Sequence, residues 1–195
     1  TVTVASNDPD EASFTFAIQG NGLAANIVVE GNSTTITKGD TTPSLTDHTD
    51  FGPVTAVGAV TAVRTFTIRN TGNRDLAGIF ATTDGSLSDF TITTTPVSTL
   101  APAGTTTLGV TFNPSARGLR SLTLLIYSSD RNDSPFGFTI AGTGANSAPT
   151  DIALTAASLA ENNAALAPVG TLSTTDADPG DASIASYSLV SGSGD

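Results

Sequence analysis

One stretch of this sequence occurs twice, and the repeat constrains the fold more than any other feature. Residues 6–22 (SNDPDEASFTFAIQGNG) align without a gap with residues 128–144 (SSDRNDSPFGFTIAGTG). The identical positions are Ser6 and Ser128, Asp8 and Asp130, Phe14 and Phe136, Phe16 and Phe138, Ile18 and Ile140, Gly20 and Gly142, and Gly22 and Gly144. Because repeated sequences form repeated structural units, one local structure must account for both copies.

Each copy has the pattern of a β-strand that follows a turn. Two phenylalanines and an isoleucine alternate with other residues, which places them on one face of a strand, and glycines then end the strand. A short apolar run precedes each copy, TVTV at 1–4 and SLTLLIY at 121–127, so each copy completes a β-hairpin. If the second hairpin closes a domain at Gly144, we expect the first to close an earlier domain at Gly22.

The residues between the two hairpins contain a series of short strand candidates separated by Gly, Asn, Asp and Pro turns. The candidates are residues 26–30, 54–60, 63–70, 76–82, 89–95, 105–112, 121–127 and 136–142. Short strands with regular turns predict a sandwich of two antiparallel sheets, and the block has the length of a single domain. The abundance of Thr, Ser, Gly and Val, with little Lys or Glu, also favours strands over helices.

The charge of the chain limits the classes of partner. Asp and Glu total 18 against 7 Lys and Arg, which gives a net charge of −11. A field of this sign disfavours nucleic acid and anionic lipid surfaces and is compatible with divalent cations. No apolar run approaches the roughly 20 residues that span a bilayer, so we expect no membrane insertion in this segment. The chain has no Cys, which excludes disulfides and thiolate chemistry.

Several motifs in residues 23–144 together resemble one family. The motifs are Asn70-Thr71-Gly72, Pro102-x-Gly104, Phe112-x-Pro114 with Gly118, and Gly142-x-Gly144. In this order they resemble the bacterial choice-of-anchor D domain, an immunoglobulin-like module related to the ASH domains of ciliary proteins such as hydin. The resemblance implies a complete β-sandwich over residues 23–144, with residues 1–22 as the closing hairpin of a preceding domain of the same kind. It also implies a tandem structural module of a large exported protein, without catalytic residues.

Residues 145–150 form a short polar linker, and residues 151–195 resemble the N-terminal half of a bacterial cadherin-like β-sandwich. This second resemblance is carried by PTDI at 149–152, Glu161-Asn162, VGTL at 169–172, DADPGD at 176–181 and YSL at 187–189. The fold class expected for the chain is therefore all-β. It consists of tandem immunoglobulin-like antiparallel β-sandwiches that are incomplete at both ends, as in a piece of a longer protein.

Asp176, Asp178 and Asp181 are the strongest candidates for a ligand site. Three neighbouring carboxylates repel one another unless a cation lies among them, and Ca²⁺ accepts several oxygen ligands in flexible geometry. The cadherin-like resemblance implies calcium at domain junctions, with Asp176 and Asp178 facing the preceding domain and Glu161 at a separate junction. A solvated acidic turn is the alternative explanation.

Three other groups of residues are assigned structural roles. The acidic turns of the two hairpins are explained by backbone turn formation, since Asp and Asn side chains close such turns themselves. His48, the one histidine, lies near Asp40, Asp47 and Asp50, but no nucleophile motif accompanies it, so a polar surface loop is expected. Phenylalanines in alternating runs are assigned to the core: Phe14, Phe16, Phe66, Phe112, Phe136 and Phe138.

The function expected from these patterns is that of a non-catalytic structural and adhesive module. It would belong to a repetitive bacterial protein, extracellular or at the cell surface, and its partners would be neighbouring β-sandwich domains of the same chain. An enzyme is not expected, because no catalytic motif is present. Two alternatives stay open. Strand addition between copies of the chain would build an extracellular filament, and an accessory module of a secreted enzyme would bind its ligand through exposed aromatic side chains.

Overall fold

Three groups of strands follow one another along the chain. The structure is a computed structural model that describes residues 1–56, 61–85, 89–155, 162, 164, 168, 170–178, 182 and 185–188. An N-terminal hairpin is formed by β1 (Val2–Ala5) and β2 (Ser13–Phe16). The middle group comprises β3 (Ile27–Gly31), β4 (Thr34–Ile36), β5 (Asp50–Thr55), β6 (Ala62–Asn70), β7 (Leu76–Ala77), β8 (Phe80–Asp84), β9 (Phe90–Thr94), β10 (Thr99–Leu100), β11 (Thr105–Phe112), β12 (Gly118–Tyr127) and β13 (Phe136–Ala145). A C-terminal pair is formed by β14 (Asp151–Leu154) and β15 (Leu172–Thr175).

The middle group is a sandwich of two sheets. One sheet has the strand order β4-β3-β6-β11-β9 and the other has the order β5-β13-β12-β8, while β7 and β10 pair separately. The strand pairs are antiparallel apart from β5 with β13, which are parallel. The all-β, immunoglobulin-like fold class is confirmed, whereas the expectation of two purely antiparallel sheets is wrong at this edge. In the described part of the chain, no helix has the length and apolar character needed to cross a bilayer.

The parallel pairing follows from the way the chain crosses between the sheets. After β4 the chain leaves the five-stranded sheet, and the amide of Gly39 donates to the carbonyl oxygen of Gly137 at 2.7 Å. The amide of Thr139 then donates to the carbonyl oxygen of Asp40 at 2.8 Å. The crossing segment therefore arrives beside the start of β13 and continues in the direction of that strand. β5 extends this course, which makes it parallel to β13.

The core lies between the facing sides of the two sheets. Alternate residues of each strand point inward, as expected for a pleated strand. The inward side chains with 0% exposure are Val29, Phe66, Ile68, Leu76, Leu108, Val110, Phe112, Leu124, Ile126, Phe138 and Ile140. Phe66 of one sheet and Phe138 of the other have ring centroids 5.3 Å apart, with an interplanar angle of 65°. Burial of apolar surface in this core, at roughly 25 cal/mol per Å², is the main force that holds the sheets together.

Some predicted strand boundaries agree closely with the structure, whereas others differ from it by several residues. The predicted strands at 26–30, 63–70 and 105–112 each agree with β3, β6 and β11 to within one residue at either end. The strand predicted at 54–60 is instead β5, which begins at Asp50, and residues 57–60 lie outside the described residues. The strand predicted at 76–82 is interrupted at Gly78, whose φ of 64° belongs to the left-handed region. That turn moves the chain from β7 into the four-stranded sheet at β8.

The two hairpins differ in the burial of their phenylalanines. Four of the six phenylalanines assigned to the core are at most 5% exposed: Phe66, Phe112, Phe136 and Phe138. Phe14 and Phe16 are 58% and 42% exposed, so their assignment to the core is wrong for this structure. The physical reason is that β1 and β2 pair only with each other among the described strands, and no second sheet packs on their apolar face.

Candidate functional sites at the two linkers

The N-terminal linker, residues 22–26, joins the first hairpin to β3 and is held by the loop that follows β6. The side-chain Oδ1 of Asn73 accepts a hydrogen bond from the amide of Ala24 at 2.9 Å, and its Nδ2 donates to the carbonyl oxygen of Gly22 at 2.9 Å. The amide of Asn73 also donates to the carbonyl oxygen of Ala24 at 3.0 Å. One asparagine therefore bonds the linker backbone at three points.

Asn70 supports this loop from inside the sandwich. It is completely buried. Its Nδ2 donates to the carbonyl oxygens of Arg74 and Leu100 at 2.8 and 3.0 Å, and its Oδ1 accepts from the amides of Gly72 and Asn26 at 3.0 and 3.4 Å. A buried amide with both ends satisfied fixes the loop in one conformation.

Gly72 allows the linker to approach. A Cβ atom built on Gly72 would lie 2.2 Å from the carbonyl oxygen of Ala24 and 2.7 Å from the amide nitrogen of Asn26, distances that no side chain permits. The amide of Thr71 donates to the carbonyl oxygen of Asn26 at 2.8 Å. The motif Asn70-Thr71-Gly72, together with Asn73, thus forms a clamp on the N-terminal linker, which we call the asparagine clamp.

The C-terminal linker, residues 145–150, is held by Asp178, which follows β15. Asp178 is only 2% exposed, and its Oδ2 accepts a hydrogen bond from the amide of Ser147. The Oδ1 of Asp176 in turn accepts from the amide of Asp178 at 2.8 Å, which orients the turn. The linker is also held from the sandwich, since Nη1 of Arg117 donates to Oδ1 of Asn146 at 2.8 Å.

The second carboxylate oxygen of Asp178 is the unusual feature of this site. Its Oδ1 is buried and has no hydrogen-bond partner among the described residues. Burying a carboxylate oxygen without a donor or a cation is costly, so this atom fits an oxygen ligand of Ca²⁺. No group of three or more His, Cys, Asp or Glu residues converges within the described ranges, so Asp176 and Asp178 form part of a donor set at most. The other two candidate ligands, Asp181 and Glu161, lie outside the described residues.

The segment around His48 is more buried than its polar sequence predicts. Asp47 and Thr49 are 8% and 1% exposed, so the expectation of a surface loop is wrong for these two residues. The reason is local, because Oδ1 of Asp47 accepts both the amide and the hydroxyl of Thr49, at 3.0 and 2.6 Å. Burial and the charge of Arg64 lower the pKa of His48, and Asp47 opposes them. The carboxylate of Asp47 therefore stabilises its own turn.

Two features of the sandwich were not predicted from the sequence. Asp130 is 2% exposed, and its Oδ2 accepts a hydrogen bond from the amide of Ile27 at 2.9 Å, although it was assigned only to its own turn. Phe80, which is 54% exposed, stacks on Tyr127 with ring centroids 4.7 Å apart and an interplanar angle of 3°. This pair lies on the four-stranded sheet, where Tyr127 of β12 is paired with Phe80 of β8.

Comparison with known proteins places the sandwich in a described family. Residues 44–143, just over half of the chain, match the family of HYDIN/CFA65/VesB-like, Ig-like domains. No curated protein matches the chain.

Several solved structures are similar at low identity. A protein of unknown function from Porphyromonas gingivalis W83 is 19% identical over 48% of this chain and 42% of its own, with a TM-score of 0.41. The ASH/PapD-like domain 7 of human CEP192 is 12% identical over 71% of this chain and 98% of its own, also with a TM-score of 0.41. The secreted serine protease VesC from Vibrio cholerae is 21% identical over 52% of this chain but only 22% of its own, with a TM-score of 0.39.

Proposed function

Because the chain belongs to the family of HYDIN/CFA65/VesB-like, Ig-like domains, we propose that it is a non-catalytic structural and adhesive module of a repetitive bacterial surface protein. Its task is to hold neighbouring modules at fixed spacing outside the cell. The observation that carries this proposal is the asparagine clamp, which ties the N-terminal linker to the sandwich with hydrogen bonds to backbone atoms of Gly22, Ala24 and Asn26. A linker held in this way transmits orientation, whereas a free linker does not.

The absence of catalysis in this proposal is supported by how the acidic residues near His48 are used. Asp40 accepts hydrogen bonds from the amide and hydroxyl of Thr42, and Asp50 accepts one from the amide of Gly52. Each carboxylate therefore serves its own turn, and none orients the imidazole as a catalytic base would require.

Distances between spin labels test the stiffness of the N-terminal linker. The chain has no Cys, so a label attached through cysteine at Leu23 and another at Thr65 report on the N-terminal linker and on β6 without background. We expect one narrow distance distribution for the full chain and a broad one for Asn73→Ala. The control Asn113→Ala removes the same side chain from an exposed loop and leaves the distribution narrow. A broad distribution in the unsubstituted chain contradicts the proposal.

Calcium at the C-terminal linker is the second part of the proposal. The support is the buried Oδ1 of Asp178, which lacks a hydrogen-bond partner among the described residues. Asp176 and Asp178 would supply carboxylate oxygens from the turn, and Ca²⁺ would offset the charge that Asp178 buries. Bound calcium would then stiffen the C-terminal linker through the contact of Asp178 with Ser147.

Calorimetric titration of the full chain with CaCl2 tests this site. Calcium should bind with a saturable heat, and at about 100 times its dissociation constant it should stabilise the C-terminal strand pair by about 2.7 kcal/mol. Asp178→Asn keeps an oxygen acceptor for the amide of Ser147 but removes the negative charge, so it should abolish calcium binding. Asp151→Asn removes an exposed carboxylate of β14 and should leave binding unchanged. No heat and no thermal shift in the unsubstituted chain would reduce Asp178 to a hydrogen-bond acceptor of the linker.

A binding role for the sandwich, as an accessory module of a secreted enzyme, is favoured by one observation. The stacked pair of Phe80 and Tyr127 offers an exposed aromatic surface of the kind that packs on sugar rings. Affinity electrophoresis in gels that contain polysaccharides tests it, with Phe80→Ala as the variant and Phe16→Ala as the control. Retardation that Phe80→Ala removes would support this role, and equal mobility in all gels would exclude these polysaccharides.

A further inference from the structure

The two copies of the repeat share one register over the residue pairs that both of them form. In the first hairpin Val2 pairs with Phe16 and Val4 with Phe14, and in the second Leu124 pairs with Phe138 and Ile126 with Phe136. These are equivalent positions of the repeat, so the register is identical. The apolar residues of both strands consequently fall on one face in each copy.

The turns of the two hairpins also share their hydrogen bonds. In the first copy the hydroxyl of Ser6 accepts from the amide of Asp8 at 3.2 Å. In the second copy the hydroxyl of Ser128 accepts from the amide of Asp130 at 3.3 Å. In each copy the carboxylate of this Asp accepts from the amide two residues further on, at 3.4 and 3.0 Å. The first copy is therefore built to present the same groups as the second.

The second copy meets three partners in its sandwich. Its apolar face packs on the five-stranded sheet, where Phe138 and Ile140 are 0% exposed. A Cβ atom on Gly142 would lie 2.5 Å from Cε1 of Phe112, and one on Gly144 would lie 2.1 Å from the carbonyl oxygen of Ala116. The third partner is the amide of Ile27 at the start of β3, which donates to Oδ2 of Asp130 at 2.9 Å.

The first copy carries the same groups without these partners. Phe14, Phe16 and Ile18 are 58%, 42% and 66% exposed. A Cβ atom on Gly20 or Gly22 would have no heavy atom within 4 Å. The repeated glycines are thus needed in the second hairpin for a packing contact that the first hairpin does not make among the described residues.

We infer that residues 1–22 close a second immunoglobulin-like sandwich, supplied by a module on the N-terminal side of this one in the same polypeptide. That module presents an apolar five-stranded sheet to Phe14 and Phe16, an aromatic ring to Gly20 and a backbone carbonyl to Gly22. A strand amide donates to the second carboxylate oxygen of Asp8. Two copies of the chain that paired through their hairpins would cover the phenylalanines but would leave the glycines and Asp8 without partners. The inference does not depend on the asparagine clamp or on calcium.

The repeat itself provides the test. Residues 23–122 are duplicated directly before Thr1 of the full chain, so that Thr1 takes the place of Thr123 and the first hairpin follows a sheet that lacks its own. Hydrogen exchange is then read by mass spectrometry. Peptides from residues 62–70 occur twice in this extended chain, so an unfolded added unit gives two mass envelopes and a folded one gives a single protected envelope. We expect one envelope, with slow exchange at residues 13–18.

The variant Phe14→Ser with Phe16→Ser is the control for this experiment. It should restore two envelopes, because the added sheet loses its apolar cover while the module over residues 23–144 keeps its own. Two envelopes in the unsubstituted extended chain, or one envelope in both chains, would overturn the inference. Sedimentation of the 195-residue chain measures its oligomeric state and so tests the alternative, in which a second copy covers the hairpin. A dimer that Phe14→Ser dissociates would mean that a second copy covers the hairpin.

Discussion

At the scale of single residues, the repeat supplies pairs of positions with one sequence and two environments. Gly142 lies under the ring of Phe112, and Gly20, its equivalent in the first hairpin, has open space around its Cβ position. Substitution at the two positions therefore compares a methyl group that meets a packed ring in β13 with one that lies in open space after β2.

We predict that Gly142→Ala destabilises the sandwich by about 1–3 kcal/mol, because the added methyl overpacks a rigid aromatic contact. Gly20→Ala should leave the free energy of unfolding unchanged or slightly higher, because Ala reduces the conformational entropy of the unfolded chain relative to Gly. Urea denaturation of the two variants at constant m-value measures both. Equal effects at the two positions would mean that Phe112 yields to the methyl group.

His48 predicts a dependence of stability on pH. Its pKa lies below the usual 6.5, because burial and Arg64 disfavour the imidazolium. A lowered pKa in the folded state means a contribution to stability that is complete above the unfolded-state pKa and is lost as pH falls through the folded-state pKa. His48 also has a φ of 65°, which Asn tolerates.

The substitution His48→Asn should therefore remove part of the loss of stability below pH 6.5. Thermal unfolding of both chains between pH 7.5 and pH 5 measures the difference. The difference between the two melting temperatures should be constant above pH 7. Below pH 6 it should change in favour of the variant. Parallel curves over the whole range would show that protonation of His48 is not linked to folding.

At the scale of elements, the sequence predicts what depends on local pattern. Alternation placed β3, β6 and β11 to within one residue, and the repeat placed both hairpins. The parallel pairing of β5 with β13 depends on where the crossing segment enters the second sheet, and no local pattern encodes that entry. The exposure of Phe14 depends on the sheet that faces it, which alternation cannot report.

The candidate sites divide in the same way. In the sequence, the motif Asn70-Thr71-Gly72 is only a mark of resemblance, because its partners at Ala24 and Asn26 are distant along the chain. The sequence indicates Asp178 by its charge, and the structure adds that it is buried and bonded to Ser147. Residue type thus indicated which residues carry chemistry, while the tertiary contacts that explain them could not be derived from spacing.

Asp130 joins the second hairpin to β3, and we predict that Asp130→Ala destabilises the sandwich by about 2 kcal/mol. The variant loses hydrogen bonds to a charged acceptor, including the one from the amide of Ile27, and leaves that buried amide unpaired. Asp8→Ala at the equivalent position removes only contacts with Asp10 in its own turn among the described residues. Its main unfolding transition should stay at the same urea concentration. A shift of equal size in Asp8→Ala would show that the first hairpin already packs on the sandwich.

At the scale of the whole molecule, stability is concentrated in the sandwich. The buried apolar cluster consists of residues between Ile27 and Ile140, and both flanking strand pairs are exposed. An isolated two-stranded hairpin is marginally stable in water. Unfolding of the chain should therefore report the sandwich, and the first hairpin should exchange its amide protons faster than β12 and β13 despite an identical register.

Substitution of equivalent phenylalanines tests this distribution. Phe138→Ala should destabilise the main transition by about 3–5 kcal/mol, since it opens a cavity in the core, whereas Phe16→Ala should leave the transition where it is. The prediction reverses in the chain that carries residues 23–122 before Thr1, because Phe16 then occupies the place of Phe138 in the added unit. There Phe16→Ala should destabilise the added unit by a similar amount while the second transition stays constant. A substitution that is silent in one chain and costly in the other would show that the hairpin gains its stability from the added five-stranded sheet.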